Sequence, residues 1–286
     1  MTILVTGTSG HLGRLVVESL LARGVAPSEI RAGARDTAKI ADLAAAGVET
    51  VRLDYNDPAS VQAAVDGADK VLLISGSEVG RRVAQHTAVI DAAVAAGVSQ
   101  FVYTSAPHVD TSALVLAPEH KATEEAITAS GLPATVLRNN WYTENYVREI
   151  EPARATGVLA ASAGDGRVAS ASRADYAEAA AAVLTTDGHL GAVYELGGDD
   201  AWNYDELAAA IGAIVGREVI YERLTAEQHA ERLQSFGLDA GTIGFVIALD
   251  ANIREGALAE TTGDLSRLIG RPTTPLIEGL RAAIAG

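Results

Sequence analysis

The sequence predicts an α/β fold: a doubly wound parallel sheet with a smaller α+β lobe supplied by the C-terminal half. Three observations lead there. Short apolar runs alternate with helical segments six times in the first half. A glycine-rich turn joins the first run to the first helix. After Tyr146 the alternation loosens into mixed strands and helices.

The apolar runs are Ile3-Leu4-Val5 and residues 30–34, 50–53, 71–74, 101–103 and 134–137. They contain few polar positions, as strands covered on both faces should. Between them, Leu12, Leu15, Val16 and Leu20 form one helical stripe that stops at Gly24 and Pro27. Further helices are expected over residues 37–46, 58–65, 80–96 and 118–130. Each is followed by a glycine suited to a C-terminal cap: Gly47, Gly67, Gly97 and Gly131. Beyond Tyr146, strands are expected at residues 168–171, 192–196 and 218–221, with helices at 173–184 and 204–215. The remainder reads as mostly helical, ending in a helix opened by Thr274-Pro275. Residues 1–150 form the expected nucleotide-binding domain. Residues 151–286 form the expected substrate lobe, interleaved with the last strands of the sheet.

Composition excludes several chemistries. The 286 residues include no cysteine, so disulfides, a thiolate nucleophile, iron–sulfur clusters and Cys-ligated zinc are ruled out. No histidine spacing suggests a metal site, and none is expected. A net charge of −15 argues against nucleic acid or an anionic membrane surface as partner. With 48% hydrophobic and 21% charged residues the chain can bury a full core, and no apolar run approaches membrane-spanning length. Only Met1 and Thr2 precede the first strand, so no cleavable leader is expected. With no cysteine, a reducing cytoplasm is the expected compartment. The oligomeric state, monomer or homodimer, is left open.

The strongest motif is Thr6-Gly7-Thr8-Ser9-Gly10-His11-Leu12-Gly13. Its glycines are three apart, after a strand and at a helix start. That context makes a tight turn, lets the backbone approach a pyrophosphate and points free helix N–H groups at the anion. The reading is a Rossmann-like dinucleotide site made by Gly7, Thr8, Ser9, Gly10, His11, Leu12 and Gly13, with His11 helping to close the loop. At the end of the second strand, a carboxylate would bind ribose hydroxyls and a cation would accommodate a 2′-phosphate. Arg35 stands there and Lys39 one turn later. Cations disfavour a helix start, so their presence favours NADPH (NADP) over NAD. Asp36 is the complication, since it too is placed to reach a ribose. Asp54, at the third strand's end, is a candidate for the adenine amino group. Ser75, Gly76 and Ser77, ending the fourth strand, are candidates for passing close to the cofactor. Ordinary turn chemistry explains these positions equally well.

The three lysines exclude more than the net charge does. Glycine spacing of this kind resembles the short-chain dehydrogenase/reductase superfamily, whose usual acid is the tyrosine of Tyr-x-x-x-Lys. Four residues before Lys39, Lys70 and Lys121 stand Arg35, Asp66 and Ala117. The motif is absent. In its place lies His120-Lys121-Ala122-Thr123-Glu124, with His120 and Glu124 one turn apart. His120 is either a proton relay or substrate-orienting group, or half of a partly exposed ion pair with Glu124.

A narrower resemblance rests on Leu73-Ile74-Ser75-Gly76-Ser77-Glu78-Val79-Gly80, Tyr103-Thr104-Ser105, His120-x-x-Thr123-Glu124 and above all Leu137-Arg138-Asn139-Asn140-Trp141-Tyr142-Thr143-Glu144-Asn145-Tyr146. With Gly164-Asp165-Gly166, Ser172-Arg173-Ala174-Asp175-Tyr176 and the stretch from Leu268 to Thr274, it covers nearly the whole chain. The chain resembles NmrA-like atypical members of that superfamily. It is most similar to bacterial type 2 NADPH:quinone oxidoreductases, with triphenylmethane-dye reductases next. The resemblance implies an NADPH-dependent oxidoreductase that transfers a hydride to a quinone, or a similar planar conjugated acceptor, without a Tyr–Lys pair. The alternatives it carries are a dye reductase and an NADP(H)-sensing regulator without turnover.

A quinone is already electrophilic, so the protein must supply geometry and hydrogen bonds to developing charge rather than a strong acid. Asn139, Asn140 and Tyr142, with His120, are the catalytic candidates. Asn139, Trp141, Tyr142 and Arg173 are candidates for the reactive end of the cofactor. Trp141, Tyr142 and His108 are candidates for the acceptor. Lobe packing for the two aromatics, and helix-start packing with Asp175 for Arg173, are the competing readings.

Overall fold

The computed structural model describes residues 1–285. Seven strands form one sheet: β1 (Ile3–Val5), β2 (Ile30–Ala34), β3 (Glu49–Arg52), β4 (Lys70–Leu73), β5 (Gln100–Ser105), β6 (Ala134–Asn139) and, from the second half of the chain, β9 (Val193–Leu196). Their order is β3-β2-β1-β4-β5-β6-β9, and every pairing is parallel. The chain reverses its direction of winding between β1 and β4, so the crevice of the sheet opens at the carboxyl end of β1.

Alternation along the strands builds two cores. Ile3 and Val5 face helices α1 (His11–Ala22), α2 (Ala41–Ala45), α7 (Arg173–Thr185) and α11 (Asp264–Ile269). Leu4 faces α3 (Pro58–Val65), α4 (Arg82–Ala96) and α5 (Ala117–Ser130). The expected helix stripe is buried at Leu12, Val16 and Leu20, while Leu15 is partly buried against the same core. α4 and α5 end at Gly97 and Gly131, both left-handed.

The second half adds α6 (Ile150–Thr156), β7 (Val158–Ala161), β8 (Arg167–Val168), β10 (Trp202–Asn203), α8 (Tyr204–Val215), β11 (Ile220–Arg223), α9 (Ala226–Ser235), α10 (Ala240–Arg254) and α12 (Leu276–Ala285). A third core, with Leu159, Trp202, Tyr204, Ile211 and Leu249, holds these elements together. β7 pairs in parallel with β11, and β8 pairs antiparallel with β10.

Two expectations need correction, and two elements were not anticipated. The helix expected at residues 37–46 is split into a 3-10 turn (Thr37–Ile40) and α2, at the point where Ile40 leaves helical geometry (φ −126°) with its side chain fully buried. The strand expected at 168–171 pairs as β8 and beyond that only by a single parallel bridge from Ala171 to Tyr142. Beyond it Ala169 bonds to the Leu258 carbonyl and Ala171 to that of Trp141, so the extended chain serves as a tie. β7 and α6 had no strong periodic signal, and β7 finds its partner only when Ile220 lies beside Val158.

Candidate functional site

A cleft of about 530 Å³ runs over the carboxyl end of β1. Gly7, Ser9, Gly10, His11, Leu12 and Gly13 line it. Gly7 turns the chain with φ +65°, and Gly10 opens α1 with no side chain capping the helix. A Cβ on Gly13 would lie 2.5 Å from the Gly7 carbonyl oxygen, so bare backbone is required where α1 sits on the loop. Thr8 does not line the cleft. Its N–H and hydroxyl both donate to Gly33 O, at 3.0 and 2.9 Å, locking the loop to β2. No acidic residue occupies the first turn of α1, so its free N–H groups face the cleft uncompensated.

At one end of the cleft are Arg35 and Lys39. The Arg35 side chain is 68% exposed, and its one ion pair is a loose 3.5 Å contact with Glu78. Asp36, the complication in the sequence, is engaged elsewhere: its carboxylate accepts from the Ala38 N–H at 3.1 Å and starts the 3-10 turn. Asp54, Ser75, Gly76 and Ser77 line the same cleft, and Asp54 also accepts from the Asn56 N–H.

Seven lining residues were not anticipated as site residues: Leu53, Tyr55, Asn56, Ile74, Glu78, Arg82 and Gln85. The Tyr55 hydroxyl donates to Ile74 O at 2.8 Å and lies 2.5 Å from Thr6 Oγ1. Gln85 Nε2 donates to Asn56 Oδ1, while Gln85 Oε1 is buried without a partner. A sequence signal existed for Arg82, Gln85 and His86. They are polar residues at i, i+3 and i+4, on one buried face of α4.

Behind this wall runs a buried polar chain. Arg82 Nε donates to Gly76 O at 2.5 Å. The Gly76 N–H donates to His86 Nε2 at 3.0 Å, which leaves the His86 proton on Nδ1, 2.9 Å from Thr123 Oγ1. His120 Nδ1 pairs with the Tyr103 hydroxyl at 2.8 Å. Burial, then the Arg82 charge, pushes His86 down to about 4 and His120 down to about 3, so both are neutral at pH 7. His120 therefore does not form the exposed ion pair with Glu124 and does not line the cleft. Glu124 is claimed by Arg138, at 2.6 and 3.0 Å, and by the Ser105 hydroxyl.

At the other end of the cleft stand Tyr142 and Arg173. The Arg173 guanidinium lies over the Tyr142 ring, 4.8 Å from its centroid, and donates to Asn145 Oδ1 at 2.9 Å. Tyr176 packs edge-on against Tyr142 at 5.3 Å. Burial raises the Tyr142 phenol above its ordinary range, so it remains protonated. Asn139 Nδ2 donates to the Tyr142 hydroxyl at 3.3 Å, and Asn139 Oδ1 is buried with no partner.

The rest of the expected group is not brought to the cleft. Asn140 is turned inward, donating to Leu258 O and accepting from the Trp141 N–H, so it pins the chain leaving β6. Trp141 lines a separate apolar cavity in the second half. His108, at φ +48°, sits between Glu195 and Glu260 and ties the loop after β5 to the second half. Among the described residues no His, Asp and Glu cluster could hold a metal ion, and no helix is long and apolar enough to cross a membrane.

The cleft fits a dinucleotide with a 2′-phosphate. It has a glycine cradle that a Cβ would fill, an uncompensated helix start, two available cations, and an orphaned buried amide oxygen on the lining residue Gln85. Comparison with known proteins agrees with this geometry. The NmrA-like family model matches residues 1–256. The chain is 46% identical over 278 residues to quinone oxidoreductase 2 of Escherichia coli, covering 97% of each chain. The crystal structure of an NADPH-dependent quinone oxidoreductase from Escherichia coli, complexed with NADPH, superposes with a TM-score of 0.94. It shares 45% identity and covers 99% of this chain and 100% of that one. A triphenylmethane reductase of Citrobacter sp. complexed with NADP(H) also reaches a TM-score of 0.94, at 36% identity over 99% of this chain and 100% of that one.

Proposed function

The chain belongs to the NmrA-like family, and on that premise we propose that it is an NADPH-dependent oxidoreductase that passes a hydride to a quinone or similar planar conjugated acceptor. The observation that carries this is the cleft itself, in which an uncapped helix start and two available cations meet an aromatic–guanidinium pair at the far end. NADPH, when bound, supplies the hydride. In this reading Arg35 and Lys39 grip the 2′-phosphate, the N–H groups of His11, Leu12 and Gly13 hold the pyrophosphate, and Tyr142, Asn139 and Arg173 bound the reactive end. Residues 1–150 bind the nucleotide, and residues 151–286 receive the acceptor. A chain without cysteine suits a reducing cytoplasm.

The lysines support hydride transfer to an acceptor already electrophilic. Lys70 Nζ donates to Leu184 O at 2.7 Å, Lys121 is exposed on α5, and Lys39 lies at the phosphate end. None stands beside a tyrosine at the reactive end, so a tyrosinate–lysine acid is not available. The protein's contribution is alignment and hydrogen-bond donors such as the Tyr142 hydroxyl.

The test is NADPH oxidation followed against a panel of benzoquinones and naphthoquinones. Turnover well above the uncatalysed rate is expected. No turnover with any of them overturns the reading, and tight NADPH binding without turnover moves it to a redox sensor.

A further inference from the structure

A second cavity, of about 440 Å³, lies in the second half of the chain between α6, β7, α9 and α10. It shares no lining residue with the cofactor cleft. Trp141 lines this cavity and its neighbour Tyr142 lines the cleft, so the chain leaving β6 is part of the partition. The volume is that of a small-molecule site.

The lining is mostly apolar, with Trp141, Leu159, Leu233, Val246 and Leu249. Phe236 borders the cavity and is 67% exposed. A ring left largely in water beside an apolar hollow is stabilised by covering a ligand there, by about 25 cal/mol for each Å² removed from water. Trp141 and Phe236 both present flat surfaces, which suit a flat ligand.

Charge fixes a second property. The ionisable groups of the lining are already matched. Arg148 pairs with Glu149 at 3.1 Å, Arg232 with Glu222 at 2.8 Å and His229 with Asp250 at 3.0 Å. A charged ligand would lose its water here and find no free counter-charge, so a neutral one is favoured.

His229 supplies the third property. It is buried, 5% exposed, and lines the cavity. Its Nδ1 lies 3.0 Å from Asp250 Oδ2 and 3.3 Å from Ser162 Oγ. Asp250 is held in turn by the Ser162 N–H and hydroxyl, at 2.7 and 2.9 Å. The ring is thus tethered along its Nδ1 edge. Among the described residues Nε2 has no partner, and unlike the Tyr146 hydroxyl it is not sealed in protein. With the proton on Nδ1 facing Asp250, Nε2 is an acceptor that a ligand hydroxyl satisfies.

We propose that this cavity is a second small-molecule site, separate from the cofactor cleft, for a neutral flat hydroxyarene whose hydroxyl donates to His229 Nε2. The rings of the ligand take the apolar lining and Phe236 covers them. Because the two cavities have no lining residue in common, NADPH and the hydroxyarene are bound together rather than in competition. The inference goes beyond the reductase reading and holds whether or not the chain turns over quinones.

The test is equilibrium dialysis of 1-naphthol against the full chain, with and without saturating NADPH. One naphthol per chain is expected, with the same dissociation constant in both conditions. 1-Methoxynaphthalene keeps the rings and the oxygen but cannot donate, and is expected to bind about 5-fold more weakly. His229→Phe keeps a flat ring and removes the acceptor, so the preference for naphthol over its ether should vanish while NADPH affinity is unchanged. Leu233→Trp fills the cavity from a partly exposed position and should abolish naphthol binding while NADPH still binds. If His229→Phe fails to fold, Leu233→Trp and the ether comparison decide. No saturable naphthol binding, displacement of naphthol by NADPH, or binding indifferent to Leu233→Trp overturns the site. A preference for naphthol that survives in His229→Phe overturns the role of His229. None of these outcomes depends on quinone turnover, so failure here leaves the reductase reading standing.

Discussion

The Arg173 guanidinium covers the Tyr142 ring at 4.8 Å and at the same time lies 3.8 Å from Glu144. One cation thus stacks on Tyr142 at one end of the cleft and offsets a half-buried carboxylate, whose Oε2 makes no hydrogen bond. Arg173→Ala removes both effects. NADPH affinity is expected to fall about tenfold, with Arg173→Lys intermediate because it restores the charge but not the planar stack. Calorimetric titration with NADPH checks it. Wild-type affinity in both variants would remove Arg173 from cofactor binding.

In the proposed reading Arg35 grips the 2′-phosphate, and its loose pair with Glu78 competes for the same guanidinium. Glu78 also pairs with Arg81 at 3.4 Å, so it can release Arg35 without being left unpaired. Arg35→Asp is expected to weaken NADPH by about 10- to 100-fold and to shift preference toward NADH, as removal of one charge-assisted bidentate interaction should. Glu78→Gln should act in the opposite direction, tightening NADPH a few-fold and NADH hardly at all. Unchanged NADPH/NADH ratios in both variants would place the phosphate elsewhere.

Gly13 tests the glycine loop without touching charge. A Cβ there would meet Gly7 O at 2.5 Å, Gly7 C at 2.8 Å and Thr8 Cα at 2.9 Å, all of them backbone atoms. The helix must therefore move off the loop. Gly13→Ala is expected to cost about 1–3 kcal/mol of stability and to abolish NADPH binding, where Gly10→Ala, 3.2 Å from the nearest atom, should cost less stability. Urea titrations of the three proteins give the comparison.

That the glycine loop and Arg35 lie on one cleft was legible because each position depends on a few adjacent residues at a strand end. The block after β6 was legible only in part. Asn139 to Tyr142 read as one pocket, yet the chain turns as it leaves the strand. Tyr142 lines the cleft and takes a hydrogen bond from Asn139, whereas Asn140 faces Leu258 and Trp141 lines the second cavity. His229 and Asp250 carried no signal. They lie on separate helices and are brought together by Ser162, whose distance along the chain periodicity does not reveal.

Acid should loosen the protein through its two buried neutral histidines. His86 and His120 are held down to about 4 and about 3 by burial first and the Arg82 charge second. The unfolded chain takes up these protons near pH 6.5, before the folded chain does, so stability is lost as pH falls from about 6.5 toward 4. Between pH 7 and pH 5 the loss is expected to be about 2 kcal/mol for each histidine. His86→Gln keeps an acceptor for the Gly76 N–H and removes one titration. Its stability should change about half as much over that interval, read from urea midpoints at the two pH values. An equal slope in wild type and variant would show that His86 is not part of the effect.

Arg138 stands in the sequence within a block associated with catalysis, but its partners make it a structural hub. It is buried at the end of β6 and reaches three carboxylates: Glu124 through two nitrogens, Glu195 at 2.9 Å and Asp110 at 2.7 Å. Lysine cannot reproduce that fork. Arg138→Met leaves Glu124 and Glu195, both largely buried, without their shared cation, and should cost about 3–5 kcal/mol. Most of that cost is the carboxylate charge left unpaired, not the attraction that has been removed. The double variant Arg138→Met with Glu124→Gln should therefore be more stable than Arg138→Met alone, although one more native group is missing from it. Urea unfolding of the two single variants and the double variant closes the cycle. Additive losses would show that Glu124 and Arg138 do not stabilise one another.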